Sequence, residues 1–220
     1  MGIAVVTGAN RGIGLELVRQ LAARGTETVA VCRHRSRELD ALGVPVEDDC
    51  DVTDHRTWSR LATRFAGAEI SLLVQNAGML VTDALADADP DDVRAQFELN
   101  SLAPLFLTRA LLPRMRPGAK VALITSRMGS MADNGSGGYY GYRMSKAALN
   151  AAGVSLAIDL KPHGIAVAIL HPGAVRTEMT GGSGMIDAEE SVRGLLRRID
   201  ELTLDDSGRF MHQNGQPLPW

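Results

Sequence analysis

Cysteine is almost missing from this chain, which holds only Cys32 and Cys50 among 220 residues. Two thiols at that spacing match neither a zinc-ligand pattern nor the framework of a secreted disulfide domain. The expectation is a pair of buried thiols in a reducing compartment and no metal site. Long apolar runs are also missing, and none approaches the roughly 20 residues that span a bilayer. Nor is there a basic excess: Lys and Arg number 23 against 26 Asp and Glu, for a net charge of −3. That balance argues against a nucleic-acid binder, which would carry a basic stripe. The one basic cluster is RHRSR, Arg33 to Arg37. The N-terminal residues run at once into a strand-like IAVVT, which leaves no room for a signal peptide. MGIAVV lacks the Ser or Thr that a myristoylation signal needs at its sixth position. The expectation is a cytoplasmic protein with no membrane or nucleic-acid partner. A chain of this length can bury roughly 70% of its unfolded surface, so it needs neither disulfide nor metal.

Short apolar runs alternate with longer amphipathic segments. Residues 3–7, 28–32, 70–75, 120–125 and 165–170 lack polar alternation, as strands covered on both faces do. Residues 44–49 make a weaker strand, and one more is expected near 209–212. Helices are expected near 11–24, 54–66, 91–115, 142–160 and 188–201. Such alternation predicts a parallel, doubly wound α/β sheet with right-handed crossovers. No repeat, charged tail or linker divides the chain, so residues 1–220 read as a single domain. TEMTGGSGMIDAEE, residues 177–190, breaks the rhythm with Gly181, Gly182 and Gly184. It reads either as a surface loop or as a mobile lid, since it follows a strand's carboxyl end, where ligands bind in such sheets. Asp187 should cap the helix after it.

TGANRGIG, residues 7–14, joins the first strand to the first helix. Gly8 permits a tight turn, Gly12 lets backbone approach a pyrophosphate, and Gly14 allows close helix-to-strand packing. The helix N-terminus then offers N–H groups and a positive dipole end to phosphates. At the end of the second strand, an NAD site wants an acid for the ribose hydroxyls. This chain has Cys32, Arg33, His34 and Arg35 there. A guanidinium suits a 2′-phosphate, so NADP(H) is expected over NAD(H), with Arg33 as its main cation and Arg11 as a second. Asp51 either accepts from an adenine amino group or caps the helix near Asp54. QNAG, 75–78, ends the fourth strand in small residues against which a cofactor could lie.

The three tyrosines of the chain stand within four positions, 139, 140 and 142. Tyr142 and Lys146 are four apart at a helix start and so share one face. An adjacent ammonium should draw a phenol pKa of about 10 toward the working range. Tyr139 and Tyr140 have no cation at that spacing and read as packing or pocket wall. Ser126 brings a hydroxyl to the carboxyl edge of the sheet, with Ser130 its nearest competitor. Pro104 has no N–H to give the Asn100 carbonyl, so the helix should kink there and leave a carbonyl that could hold a water.

Taken together, TGANRGIG, Asp51, QNAG, Asn100, Ser126, Tyr142-x-x-x-Lys146 and HPGAVRT (171–177) resemble the short-chain dehydrogenase/reductase family over nearly the whole chain. TSRMGS, YRMSKAALN and the C-terminal DDSGRFMHQNGQPLPW are similar to its C-factor-like and sniffer-like carbonyl reductases. The resemblance implies a seven-stranded Rossmann-like fold with helices on both faces. It implies a catalytic tetrad of Asn100, Ser126, Tyr142 and Lys146. Tyr142 would exchange the substrate oxygen's proton, Ser126 would orient that oxygen, and Lys146 would bind the nicotinamide ribose. The Asn100 carbonyl would hold a relay water. Gly8, Asn10, Arg11, Gly12, Ile13 and Gly14 would cradle the phosphates. Asp51 would meet the adenine, Val52 would bind the cofactor beside it, and the cofactor would lie against the backbone of Asn76, Ala77 and Gly78. Pro172 and Gly173 would shape the nicotinamide pocket, the Val175 backbone would hold the carboxamide and Thr177 the carboxamide or phosphate region, with hydride leaving from the B face. One departure is the spacing of Ser126 and Tyr142, sixteen residues where about a dozen is usual; the extra length lies in DNGSGG.

These readings make the chain a reductase of a ketone or aldehyde, or a dehydrogenase of the alcohol. A non-catalytic dinucleotide sensor on the same fold is the alternative, disfavoured by the intact tetrad. An extended epimerase would need a substrate domain for which this chain is too short. Met128, Met131, Met179 and Met185, with Tyr139 or Tyr140, should line a pliable apolar substrate pocket. Arg127 and Arg176 are read as structural. The Ala- and Gly-rich helix from Tyr142 to Lys161 should be buried on both sides, pairing across a two-fold axis in a homodimer or homotetramer.

Overall fold

A computed structural model describes residues 2–220. Seven parallel strands form one sheet, in the order β3-β2-β1-β4-β5-β6-β7. They are β1 (Ile3–Thr7), β2 (Thr28–Val31), β3 (Val46–Glu47), β4 (Ile70–Gln75), β5 (Met115–Ile124), β6 (Ala166–His171) and β7 (Phe210–His212). The helices are α1 (Gly12–Ala23), α2 (Arg37–Asp40), α3 (His55–Arg64), α4 (Pro90–Phe97), α5 (Ala103–Leu111), α6 (Tyr140–Leu160) and α7 (Ala188–Glu201).

The unbroken apolar runs are explained by two cores, one on each face of the sheet. Ile3 and Val5 pack with Leu61, Phe65, Leu107, Leu111, Leu149 and Leu160 of α3, α5 and α6 or their ends. Ala4 and Val6 pack with Leu17, Val18, Leu195 and Ile199 of α1 and α7. A strand covered on both faces has no position for a polar residue. Chain direction across the sheet reverses between β1 and β4, since β1 pairs with both β2 and β4. A crevice opens at the carboxyl ends of strands at such a switch point.

Five expectations shift. The strand sought at 44–49 shrinks to Val46–Glu47, and β5 starts earlier, at Met115. The short α2, unforeseen, is capped by Ser36, whose hydroxyl accepts from the Leu39 N–H. The single helix expected over 91–115 is two helices joined by a π-helical turn at Glu98–Leu102. There the Ala103 N–H reaches the Glu98 carbonyl, five residues back. Pro104 cannot donate to the Asn100 carbonyl, and the helix is widened by one turn just before it. Finally, α6 begins at Tyr140, and in the single chain Met144 and Ile158 on it are 54% and 68% exposed. Elsewhere the caps fall as read, with the Asp187 carboxylate accepting from the Glu190 N–H at the start of α7.

Candidate active site

The carboxyl edge of the sheet holds a cleft of about 440 Å³. Its walls include Gly8, Asn10, Arg11, Gly12, Ile13 and Gly14 from the first turn, and Arg33, Asp51 and Val52 beyond β2 and β3. Asn76, Ala77, Gly78, Tyr142, Lys146, Pro172 and Thr177 complete it. Gly173 and Val175 stand behind this wall: a Cβ on Gly173 would meet Ile186 Cδ1 at 2.9 Å, and Val175 is buried in a bridge to Ile186.

The glycine turn is fixed by backbone geometry. Gly8 has φ +64°, and a Cβ there would lie 2.8 Å from the Ala77 Cα. A Cβ on Gly14 would be driven into the Gly8 carbonyl. Asn76 stitches this turn to β4, donating to the Thr7 carbonyl at 3.0 Å and the Gly8 carbonyl at 3.2 Å. The Thr7 hydroxyl in turn accepts the Asn76 and Ala77 N–H groups at 3.0 and 3.1 Å. Asn76 therefore shapes the cleft by holding its floor. Asp51 accepts from the Thr53 N–H and hydroxyl, while Asp54 caps α3.

Arg35 is taken by Asp40 at 2.7 Å. Arg33 lines the cleft and is exposed, with no ion-pair partner among the described residues. Arg11, the second cation, also lines the cleft and meets Glu178 at 2.6 Å. Both residues line the cleft, so the pair ties the glycine turn to the 177–190 segment. That segment is also pinned to the residues just before it, by Met185 N–H to the Ala174 carbonyl and Arg176 N–H to the Ile186 carbonyl.

Tyr142 and Lys146 line the other end of the cleft, and Ser126 and Asn100, also buried, stand behind its wall. Lys146 Nζ donates to the Ile124 carbonyl at 2.9 Å and lies 5.8 Å from the Tyr142 ring centroid. Burial pulls its ammonium pKa down to about 8. The Tyr142 phenol runs against expectation: burial raises its pKa, and the Ser126 hydroxyl beside it pulls the other way. Spacing foretold the lysine, but the low dielectric around the ring dominates. Ser126 accepts from the Met128 N–H at 3.1 Å, and the Ser130 hydroxyl caps the turn at Asp133.

Asn100 acts through its side chain as well as its place in the π turn. Its amide donates to the Met79 carbonyl at 2.9 Å and to Ser145 Oγ at 3.0 Å. Gly129 was missed in the sequence. A Cβ there would lie 2.8 Å from the Lys146 carbonyl carbon, so the glycine lets the Ser126 loop sit directly on α6. Of the methionines, Met179 lines the cleft, while Met131 and Met185 are 77% and 84% exposed. Arg127 pairs with Asp133, and Arg176 donates to the Gly184 carbonyl, both structural as read. Cys32 and Cys50, not anticipated at the site, are unbridged and line the cleft.

This sheet and this cluster define a dinucleotide-dependent oxidoreductase fold, and the chain belongs to the short chain dehydrogenase family, whose model matches residues 2–185. It is 40% identical over 226 residues to a Rhodococcus sp. (strain AD45) protein, 1-hydroxy-2-glutathionyl-2-methyl-3-butene dehydrogenase, with both chains fully covered. It is 47% identical over 162 residues to C-signal of Myxococcus xanthus, covering 72% of this chain and 98% of the relative. Two solved structures superpose over the full length of both chains. They are the carbonyl reductase Sniffer of D. melanogaster, at TM-score 0.93 and 29% identity, and the NADPH-bound carbonyl reductase from chicken fatty liver, at 0.90 and 30%. Among the described residues no helix is long and apolar enough to cross a membrane, and no group of three or more His, Cys, Asp or Glu could hold a metal.

Proposed function

We propose that the chain is an NADPH-dependent carbonyl reductase, reversible toward the alcohol, with Tyr142 as its acid and base. The observation that carries this reading is the cleft itself, which joins a buried Tyr-Lys pair at one end to an uncommitted Arg33 at the other. The residues fit the cofactor: Gly8, Gly12 and Gly14 leave room for a pyrophosphate against the first N–H groups of α1, flanked by Asn10 and Ile13. Arg33 would face the 2′-phosphate, and Asp51 and Val52 the adenine. Ala77, Gly78 and Lys146 would hold the ribose of the nicotinamide, with Pro172, Gly173, Val175 and Thr177 around its ring. The bound NADPH supplies a hydride.

The chain's own part is the proton. A phenol whose pKa is raised by burial is fully protonated near neutrality, as the acid for carbonyl reduction must be. Tyr142 Oη would give that proton to the substrate oxygen while Ser126 orients it. Lys146, near pKa 8, keeps a positive charge close by at neutral pH and favours the phenolate as it forms. The Asn100 carbonyl is proposed to hold a relay water. Residues 1–220 act as one domain, with 177–190 as the lid and Arg11–Glu178 as its tie. The exposed Met144–Ile158 face of α6 fits a homodimer or homotetramer.

A panel of ketones and aldehydes, followed by oxidation of NADPH and of NADH, tests the reading. NADPH-preferring turnover that is lost in Tyr142→Phe supports it, and full activity in that variant removes the mechanism. The likeness to C-signal keeps one other reading in view, a non-catalytic dinucleotide sensor. Tight NADPH binding without turnover of any carbonyl would select it.

A further inference from the structure

The N-terminus of α6 has no cap of its own. Tyr139, at the N-cap position, adopts φ +53° and offers no side-chain bond, and Gly137 and Gly138 before it are also left-handed. The first N–H groups of a helix need acceptors from somewhere. They find them 57 residues upstream in Asp83, which is half-buried in the loop after β4. Its carboxylate accepts from the Tyr140 N–H at 2.5 Å and the Gly141 N–H at 3.1 Å, and its carbonyl accepts from the Tyr139 N–H at 2.9 Å.

The segment leading to Asp83 is held like a rail. Met79 N–H donates to Asn100 Oδ1 at 2.9 Å, and Val81 N–H donates to Gln96 Oε1 at 3.0 Å. Gln96 and Asn100 are one helical turn apart, a rise of about 6 Å, which matches two residues of extended chain. Helix amides four apart thus read off backbone positions 79 and 81, and position 83 reaches α6. Gly141 completes the contact, since a Cβ there would press on Gln96 and lie 3.2 Å from the Val93 Cα.

We propose that Asp83 is a positioning residue, the N-cap of α6 supplied from another loop, which fixes the helix start and thereby Tyr142 relative to the cleft wall at Gly78 and Met79. The proposal rests on the reading of Tyr142 as the proton donor. A misplacement of about 1 Å at a reacting group can cost about 100-fold in rate, so a frayed first turn is enough to be seen in kcat.

The test uses the NADPH-bound enzyme, with 4-nitrobenzaldehyde as the carbonyl probe and amide hydrogen exchange read by NMR. In Asp83→Ala, exchange at Tyr140 and Gly141 should quicken at least tenfold, and kcat should fall by about 30-fold, within the range that misplacement allows. NADPH affinity and the melting temperature should stay close to wild type. Asp83→Asn, which keeps one acceptor oxygen, should fall between the two on both readouts. Adding Asp83→Ala to Tyr142→Phe should cost nothing further, because the group being positioned is gone. Unchanged exchange in Asp83→Ala, or a loss of kcat matched by loss of NADPH binding in both Asp83 variants, overturns the proposal. Full activity in Tyr142→Phe overturns the proton-donor reading instead, whatever Asp83 does.

Discussion

The two ends of the cleft are built on different principles. The dinucleotide end is made of backbone: glycines whose missing side chains leave room, and an asparagine that stitches the turn to β4. The other end is made of side chains and loops, with Tyr142 and Lys146 buried and the methionines Met79 and Met179 on the cleft wall. A backbone-built site tolerates almost no substitution, whereas a rim of pliable thioethers tolerates many. The first should bind one cofactor strictly, and the second should accept a range of carbonyl shapes.

The largest break in that comparison is expected at the proton donor. Tyr142→Phe should lower kcat by about 1000-fold, the scale of a lost general acid, while a fluorescence titration shows NADPH binding unchanged. Equal binding and undiminished kcat would erase the division of labour between the ends. Next is the backbone itself. Gly14→Ala pushes a methyl into the Gly8 carbonyl, and NADPH affinity should drop by at least about 100-fold, the scale of several kcal/mol of strain. Arg33→Ala should then weaken NADPH by roughly 30-fold with little change for NADH, as expected for a charge-assisted bond. Comparing kcat/KM for the two cofactors decides it.

The substrate end also carries an acid sensitivity. Burial, then His212, Arg127 and Lys146, hold His171 down at about pKa 3 against an ordinary 6.5. Its neutral form is the folded one, so the unfolded chain takes up the proton first as pH falls. Stability conferred by the neutral ring is present above pH 6.5 and declines toward pH 3, by up to about 1.4 kcal/mol per pH unit. His171→Gln should flatten that slope in urea unfolding measured at successive pH values. An unaltered slope would place the acid sensitivity elsewhere. The smallest effect is expected at the rim, where Met179→Ala should change KM by no more than about threefold, the worth of partial apolar burial. A loss of NADPH affinity in that variant would show that the two ends are not separable.

The same division explains what could be read from the sequence. Gly8, Gly12 and Gly14 announce their role by residue type, because only a missing side chain does what they do. Strands covered on both faces are equally legible, since their apolar runs have no alternation. Tyr142 and Lys146 could be paired by helical spacing, yet the direction of the tyrosine's pKa depends on burial, which spacing does not carry. Pro104 announced a lost hydrogen bond at Asn100 but not that the helix would widen into a π turn beside it. Asp83, Gly129 and the side-chain bonds of Asn100 and Asn76 were illegible for one reason. Each acts on a partner distant in the chain, and no local pattern marks such a contact.

The strand order has one further consequence, for the growing chain. After β4 every strand lies beside the one made just before it, ending at β7. The unpaired edge therefore moves outward in step with synthesis, and no strand in this half must wait for a later one to find its neighbour. The sheet can be extended as it leaves the ribosome, one crossover at a time, with the segment that bears Tyr142 added between the fifth and sixth steps.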